Sequence, residues 1–206
     1  MPALNPKTDI LQVKITLLHL EPAVWRRVLV PAGLNLKRLH DTIQAAMGWY
    51  DQHLYEFCIG ERRYGTRDVD GGLDPGVADA SNVKLSSLVE KGVERFFYIY
   101  DFGDDWRHEV VIESVRPGEP GADYPLFAEG ERRCPPEDCG GPPGFMAFLE
   151  AVSNPNHPEH EEALEWYGED YDPDDIERHV IDAQMSRIAG SRRGGVKARG
   201  RPRKTG

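Results

Sequence analysis

The sequence predicts an α+β fold, an antiparallel or mixed sheet with one helix across a face and further helices toward the C-terminus. Three observations carry that prediction. Residues 11–18 (LQVKITLL) alternate apolar and polar side chains at the period of a half-buried strand. The aromatic runs RFFYIYDF (95–102) and WRHEVVIESV (106–115) flank a Gly103-Asp104-Asp105 turn. Strands and helices also come in blocks rather than in strict strand–helix alternation, which argues against a doubly wound sheet.

Taken in order, Leu11, Val13, Ile15 and Leu17 face one side of the first strand. Glu21-Pro22-Ala23 breaks it, and VWRRVLV (24–30) is its hairpin partner. Asn35 is the N-cap of a helix with Leu36, Leu39, Ile43, Ala46 and Met47 on one stripe, and Gly48 ends it. HLYEFCIG (53–60) is the third strand, from which ERRYG turns back. This β-β-α-β opening suits a β-grasp-like start. Residues 66–82 are expected to form a loop, followed by a short helix at Leu85–Val89. After the aromatic hairpin, residues 116–143 are dense in Pro and Gly and aperiodic, so they predict a long loop. Phe145, Phe148, Leu149 and Val152 then recur at helical spacing. Pro158 and Pro173 each suit a first helical turn, the second with Asp172 as N-cap and Ile176, Val180 and Ala183 on one face. The expected division is an N-terminal extension (1–10), one domain (11–185) and a disordered basic tail (186–206).

Composition narrows the class. The chain has 206 residues, 39% hydrophobic, and a net charge of −10. No apolar run is long enough to span a bilayer, and the N-terminus lacks the features of a secretory signal. Three cysteines (Cys58, Cys134, Cys139) do not make a disulfide framework and fit a cytoplasmic setting. Charge is unevenly placed: residues 1–177 carry 16 Lys/Arg against 34 Asp/Glu, and residues 178–206 carry 9 against Asp182 alone. An acidic body repels the nucleic-acid backbone and a basic tail attracts it.

At VWRRVLVPAGLNLKRLHDTIQAAMGW (24–49), YDFGDDWRHEV (100–110) and CPPEDCGGPPGF (134–145), the chain resembles the plasmid pRiA4b ORF-3-like proteins. The likeness runs from about Leu11 to about Glu177, with three motifs in order. It implies an α+β domain associated with plasmids and transposons. The resolvase-like label some members carry finds no support, since no nucleophilic Ser beside an Arg cluster is readable.

Four groups of residues could carry chemistry. Arg199, Gly200, Arg201, Pro202, Arg203 and Lys204 resemble the core of an AT-hook. Gly allows close approach to a groove floor, Pro holds an extended shape, and Arg lies in an A·T-rich minor groove. The plain alternative is a nonspecific basic tail. Cys134 and Cys139 with His157 and His160 offer zinc-ligand chemistry, but C-x4-C and H-x2-H fit the usual spacings poorly, and a rigid loop is the favoured reading. Asp101, Asp104, Asp105 and His108 crowd one turn, where a divalent cation or an acid–base pair is the functional reading and ordinary turn formation the favoured one. This hairpin together with the PPED loop is where a site is expected. His108-Glu109 and His160-Glu161 open zincin-like motifs that Ile112 and Leu164 leave incomplete.

The reading is therefore a non-enzymatic binding module without a resident cofactor, off the membrane. Its expected partners are a protein or peptide at an acidic, aromatic surface and A·T-rich DNA at the tail. The alternative is a metal-dependent hydrolase or nuclease using Asp101, Asp104, Asp105 and His108.

Overall fold

A computed structural model describes residues 4–66, 76–168 and 170–196, the last five through their backbone. Among the described residues, eight strands form one sheet: β1 Asp9–Leu17, β2 Val24–Pro31, β3 Tyr55–Ile59, β4 Arg62–Gly65, β5 Val77–Asp79, β6 Arg95–Tyr100, β7 Trp106–Pro117 and β8 Leu126–Glu131. The α-helices of the described residues are α1 Leu36–Met47, α2 Leu85–Glu90, α3 Gly141–Ser153, α4 His160–Tyr167 and α5 Arg178–Val196. The strand order is β5-β4-β3-β6-β7-β1-β2-β8, antiparallel throughout except for the β4–β5 pair. The class is α+β with a mixed sheet, as the block pattern predicts. β1 lies between β2 and β7, and β3 enters the sheet beside β6.

Alternation decides which face is buried. Leu11, Val13, Ile15 and Leu17 of β1 are buried, as are Trp106, His108, Val110 and Ile112 of β7. The aromatic hairpin pairs Tyr100 with Trp106, Tyr98 with His108 and Phe96 with Val110. Helix α1 covers this face with its apolar stripe. Its ends match the sequence, with Asn35 Oδ1 accepting from the Arg38 N–H at 2.9 Å and Gly48 left-handed at φ 82°. The other face is polar: Arg27 pairs with Glu113 at 2.7 Å and also with Glu129, and Lys14 lies over the Trp25 ring.

One segment turns back as expected and three others differ. ERRYG turns back as a strand, with Arg62–Gly65 hydrogen-bonded to β3. Val77–Asp79 forms an edge strand inside the predicted 66–82 loop; residues 67–75 lie outside the described residues. The predicted 116–143 loop contains β8, a strand made by pairing with β2 rather than by its own pattern, since only Phe127 in LFAEGE is buried. No helix starts at Pro173. Asp172 and Asp175 instead accept hydrogen bonds from the N–H groups of Asp174 and Glu177, two residues on, and these Asx-turns hold the chain open until Arg178.

Order also continues past Ser186, where the basic tail is expected to begin. Ile181, Met185 and Ala189 are buried at four-residue spacing, and Ile188 packs against the core beside them. That stripe carries α5 to Val196, and the Arg199–Lys204 motif lies outside the described residues. Among the described residues, no helix is long and apolar enough to cross a membrane.

His108 ties the core to pH. It is fully buried against Trp49 and Tyr98, and burial pushes its pKa down to about 3. Between about pH 3 and its unfolded value near 6.5, the folded chain binds fewer protons there than the unfolded chain. Stability should therefore fall as pH drops below 6.5, by up to about 1.4 kcal/mol per pH unit for this group. Urea unfolding of His108→Leu between pH 6.5 and 5 should show a shallower dependence than the native chain; the remaining slope includes His40, whose pKa burial also lowers.

Candidate functional site

Three segments converge at one end of the aromatic hairpin: residues 49–53 after α1, the β6–β7 turn, and the loop 134–141 leading into α3. The segment after α1 is fastened to the loop twice. The Trp49 indole N–H donates to the Pro135 carbonyl at 2.9 Å, and the Tyr50 N–H donates to Glu137 Oε1 at 2.7 Å. Tyr100, the last residue of β6, donates its hydroxyl to Glu137 at 3.1 Å and accepts from the Gln52 N–H at 3.1 Å. Burial, with Glu137 beside it, raises the Tyr100 pKa, so the phenol stays protonated as the donor.

The turn is shaped by its aspartates. Asp101 has φ 55° and its Oδ1 accepts from the Gly103 N–H at 2.9 Å, while Asp105 has φ 56° and pairs with Arg107 at 2.8 Å. Asp104 Oδ2 accepts from the Gly140 N–H at 3.1 Å, joining turn to loop. At Gly141 the backbones come so close that an added Cβ would collide with the Asp104 carbonyl oxygen, and φ is +67° there. Only glycine fits that position without displacement.

This docking creates a cluster around His53. Its Nε2 lies 3.2 Å from Asp138 Oδ1, 3.3 Å from Glu137 Oε2 and 3.6 Å from Asp101 Oδ2. That nitrogen is buried, yet no described residue gives it a well-formed hydrogen bond. The His53, Asp101 and Asp138 ligand atoms lie within 4.8 Å of one another. The Asp101 and Glu137 side chains are each only 11% exposed, while Asp138 is 67% exposed and opens the cluster to solvent.

A second His–carboxylate group lies nearby and is internally satisfied. His40 stacks on Tyr55 with centroids 3.6 Å apart, contacts Tyr98 Oη at 2.8 Å through Nδ1 and contacts Asp51 at 2.7 Å through Nε2. The bond to His40 lowers the Asp51 pKa, and Lys37 sits 3.8 Å from the same carboxylate and 2.7 Å from Asp41. A lysine ammonium already occupies the charge position that a metal would take.

The four-residue turn cluster read from the sequence is thus divided. Asp101 joins the His53 cluster, Asp104 holds the loop, Asp105 pairs with Arg107, and His108 faces the core. Cys134 and Cys139 are unpaired thiols whose pKa values burial pushes up to about 12, and among the described residues neither belongs to a group of ligand atoms close enough to share a metal. His157 Nδ1 accepts from the Glu159 N–H, and His160 Nδ1 contacts the Ala151 carbonyl at 2.9 Å. Cys58 lies on β3 and is likewise raised, to about 11. The candidate-site residue that sequence reasoning missed is His53, read only as the start of a strand. Its signal was slight: a histidine at the mouth of a strand, four residues after a buried tryptophan.

Comparisons with known proteins agree on the frame. The model of the plasmid pRiA4b ORF-3-like proteins matches residues 9–180. The uncharacterized protein y4hQ of Sinorhizobium fredii (strain NBRC 101917 / NGR234) is 46% identical over 166 residues, 80% of this chain and 84% of that protein. The crystal structure of MM3350 from Methanosarcina mazei Go1, a protein of unknown function, superposes with a TM-score of 0.75 at 31% identity. It covers 82% of this chain and 94% of that one.

Gly141→Ala should force the loop away from the turn. Collision together with a positive φ predicts a loss of about 1–3 kcal/mol in stability. Chemical denaturation measures it, and Gly121→Ala, at a positive φ but with open space around its Cβ position, should lose less.

Proposed function

The chain belongs to the plasmid pRiA4b ORF-3-like family, and on the site described above we propose that it is a divalent-cation-binding module centred on His53, Asp101, Glu137 and Asp138. The observation that carries this reading is the buried, unsatisfied Nε2 of His53 facing three carboxylates. Ligands about 2.1 Å from a metal stand about 3.0 Å apart in an octahedron and about 3.4 Å apart in a tetrahedron. The 3.2–3.6 Å separations from Nε2 are close to that spacing, and the His53, Asp101 and Asp138 ligand atoms all lie within 4.8 Å of one another, with Glu137 beside them. One imidazole with three carboxylates suits Zn²⁺ or Mn²⁺ better than a thiolate-seeking ion.

The competing occupant is a proton, which would make His53 an imidazolium paired with its neighbours. Calorimetric titration of metal-stripped protein at pH 7 separates the two. Zn²⁺ or Mn²⁺ should bind at one equivalent, and His53→Ala and Glu137→Gln should each weaken binding by about tenfold or more, about 1.4 kcal/mol. Asp105→Asn, outside the cluster, should bind as the native chain does. Absence of one-equivalent binding, or equal binding by His53→Ala, would refute the proposal.

A hydrolytic role for the bound cation is the second reading. It is favoured because Glu137 also lines an adjoining cleft of about 430 Å³, which puts the cation at the edge of a space for substrate. A cytoplasmic setting is supported by the three unpaired thiols.

The basic C-terminal segment adds a proposed contact with A·T-rich DNA. The core is acidic, so affinity should reside beyond Val196, and a chain truncated there should lose binding while keeping its fold. Removing residues from Arg187 onward would instead cut the buried Ala189 out of α5. The full chain should prefer A·T-rich to G·C-rich duplex, with a log–log salt slope of about −0.9 per phosphate neutralised. Arg201→Ala should cost more on A·T-rich DNA than Lys197→Ala. Equal losses on both duplexes would leave only a nonspecific electrostatic arm.

A further inference from the structure

The cleft of about 430 Å³ between residues 47–50, the 133–137 loop and α4–α5 has a lining whose charges cancel. Its ionised side chains are two arginines and two glutamates, Arg26, Arg133, Glu137 and Glu177. Arg133 pairs with Glu177 at 2.9 Å. Glu137 accepts from the Tyr50 N–H at 2.7 Å and from the Tyr100 hydroxyl at 3.1 Å. Arg26 is 1% exposed and donates to the carbonyls of Ala46, Trp25 and Glu131 at 2.9 Å each. Each of these charges is thus engaged inside the protein. A ligand with a net charge of either sign would give up its hydration here without meeting a free counter-charge. An uncharged ligand avoids that cost.

What the walls leave available is aromatic and amide surface. Tyr50, in the segment after α1, is 73% exposed, and Trp166, on α4, is 53% exposed. Trp166 is seated on Phe148, with ring centroids 5.6 Å apart and 70° between the planes. Exposed rings held at a cleft wall are platforms for a planar body. Gln184, on α5, lines the same space half-buried, and its side-chain amide has no hydrogen-bond partner among the described residues. A glutamine amide sets an acceptor beside a donor in one plane. Its best match is a group presenting a donor and an acceptor in the complementary order. The volume is in the range that holds a small organic ligand.

We propose that this cleft binds an uncharged planar ring with an amide-type donor–acceptor edge, the ring beside Tyr50 and Trp166 and the edge paired with the Gln184 amide. Nucleobases and aromatic carboxamides share that chemistry. Neutrality sets the charge of the ligand, the rings set its shape, and Gln184 sets the polarity of its edge. The inference does not depend on a cation at His53, because Trp166 and Gln184 belong to no part of that cluster.

The test is saturation-transfer NMR and calorimetry on the full chain in EDTA, with benzamide, adenine and uracil as probes. Benzoate and orotate are the anionic counterparts, and N,N-dimethylbenzamide keeps the ring and carbonyl but loses the donor. At least one neutral probe should bind saturably, with benzoate and orotate weaker than it by about tenfold or more. Whether benzamide or a base binds more tightly identifies the source, and either result supports the proposal. Trp166→Ala, an exposed substitution that should leave the fold intact, should weaken binding severalfold. Gln184→Leu should do the same, and if that variant does not fold, Trp166→Ala and the probe comparisons still decide. Benzoate, orotate or N,N-dimethylbenzamide binding as tightly as the best neutral probe, indifference to Trp166→Ala, or no saturable binding by any probe would overturn the proposal.

Discussion

The carboxylate of Glu137 is the point on which this structure depends. It accepts from the Tyr50 N–H at 2.7 Å and from the Tyr100 hydroxyl at 3.1 Å, so one side chain joins the end of α1, the end of β6 and the loop before α3. A largely buried carboxylate is tolerated only when its oxygens are matched by donors. Here those donors come from segments far apart in the chain, so satisfying the charge requires the segments to assemble. Oε2, which also lies 3.1 Å from the Tyr100 hydroxyl, faces His53 at 3.3 Å, and the neighbouring aspartates gather around the same imidazole.

Gathering Asp101, Glu137 and Asp138 around one imidazole works against the fold unless positive charge offsets their repulsion. The chain accepts that cost where several tethers converge. The β6–β7 hairpin is held by cross-strand aromatic pairs, the loop by Asp104 and by the close approach at Gly141, and the segment after α1 by Trp49. Side chains fixed in this way are pre-organised, which suits the proposed single cation better than diffuse attraction of counterions. The His40–Asp51–Lys37 group shows the alternative solution, where the protein provides its own cation and leaves no position for another.

Much of the frame was legible because period and capping are local. Alternation in 11–17, the Asn35 and Gly48 caps, and the aromatic hairpin all depend on neighbours within a few residues. What escaped was decided at a distance. β8 is a strand because β2 offers it an edge, and α5 passes Ser186 because Ile188 and Ala189 find a core that composition does not reveal. The 173–177 segment has helical composition, yet local Asx-turns and the Arg133 N–H bonded to the Pro173 carbonyl hold it open. The site followed the same rule. The hairpin and the PPED loop could be read as partners, but assigning Asp101 to the cluster and His108 to the core needed the strand's facing. His53 could be recognised only once residues 49–53 were folded against Glu137.

The most direct measurement is anomalous diffraction from a crystal equilibrated with Mn²⁺. A bound cation should give one strong peak bounded by His53 Nε2, Asp101, Glu137 and Asp138, with ligand distances of about 2.0–2.3 Å. A map with no peak there, or with His53 instead donating hydrogen bonds to Glu137 and Asp138 across the same space, would contradict it.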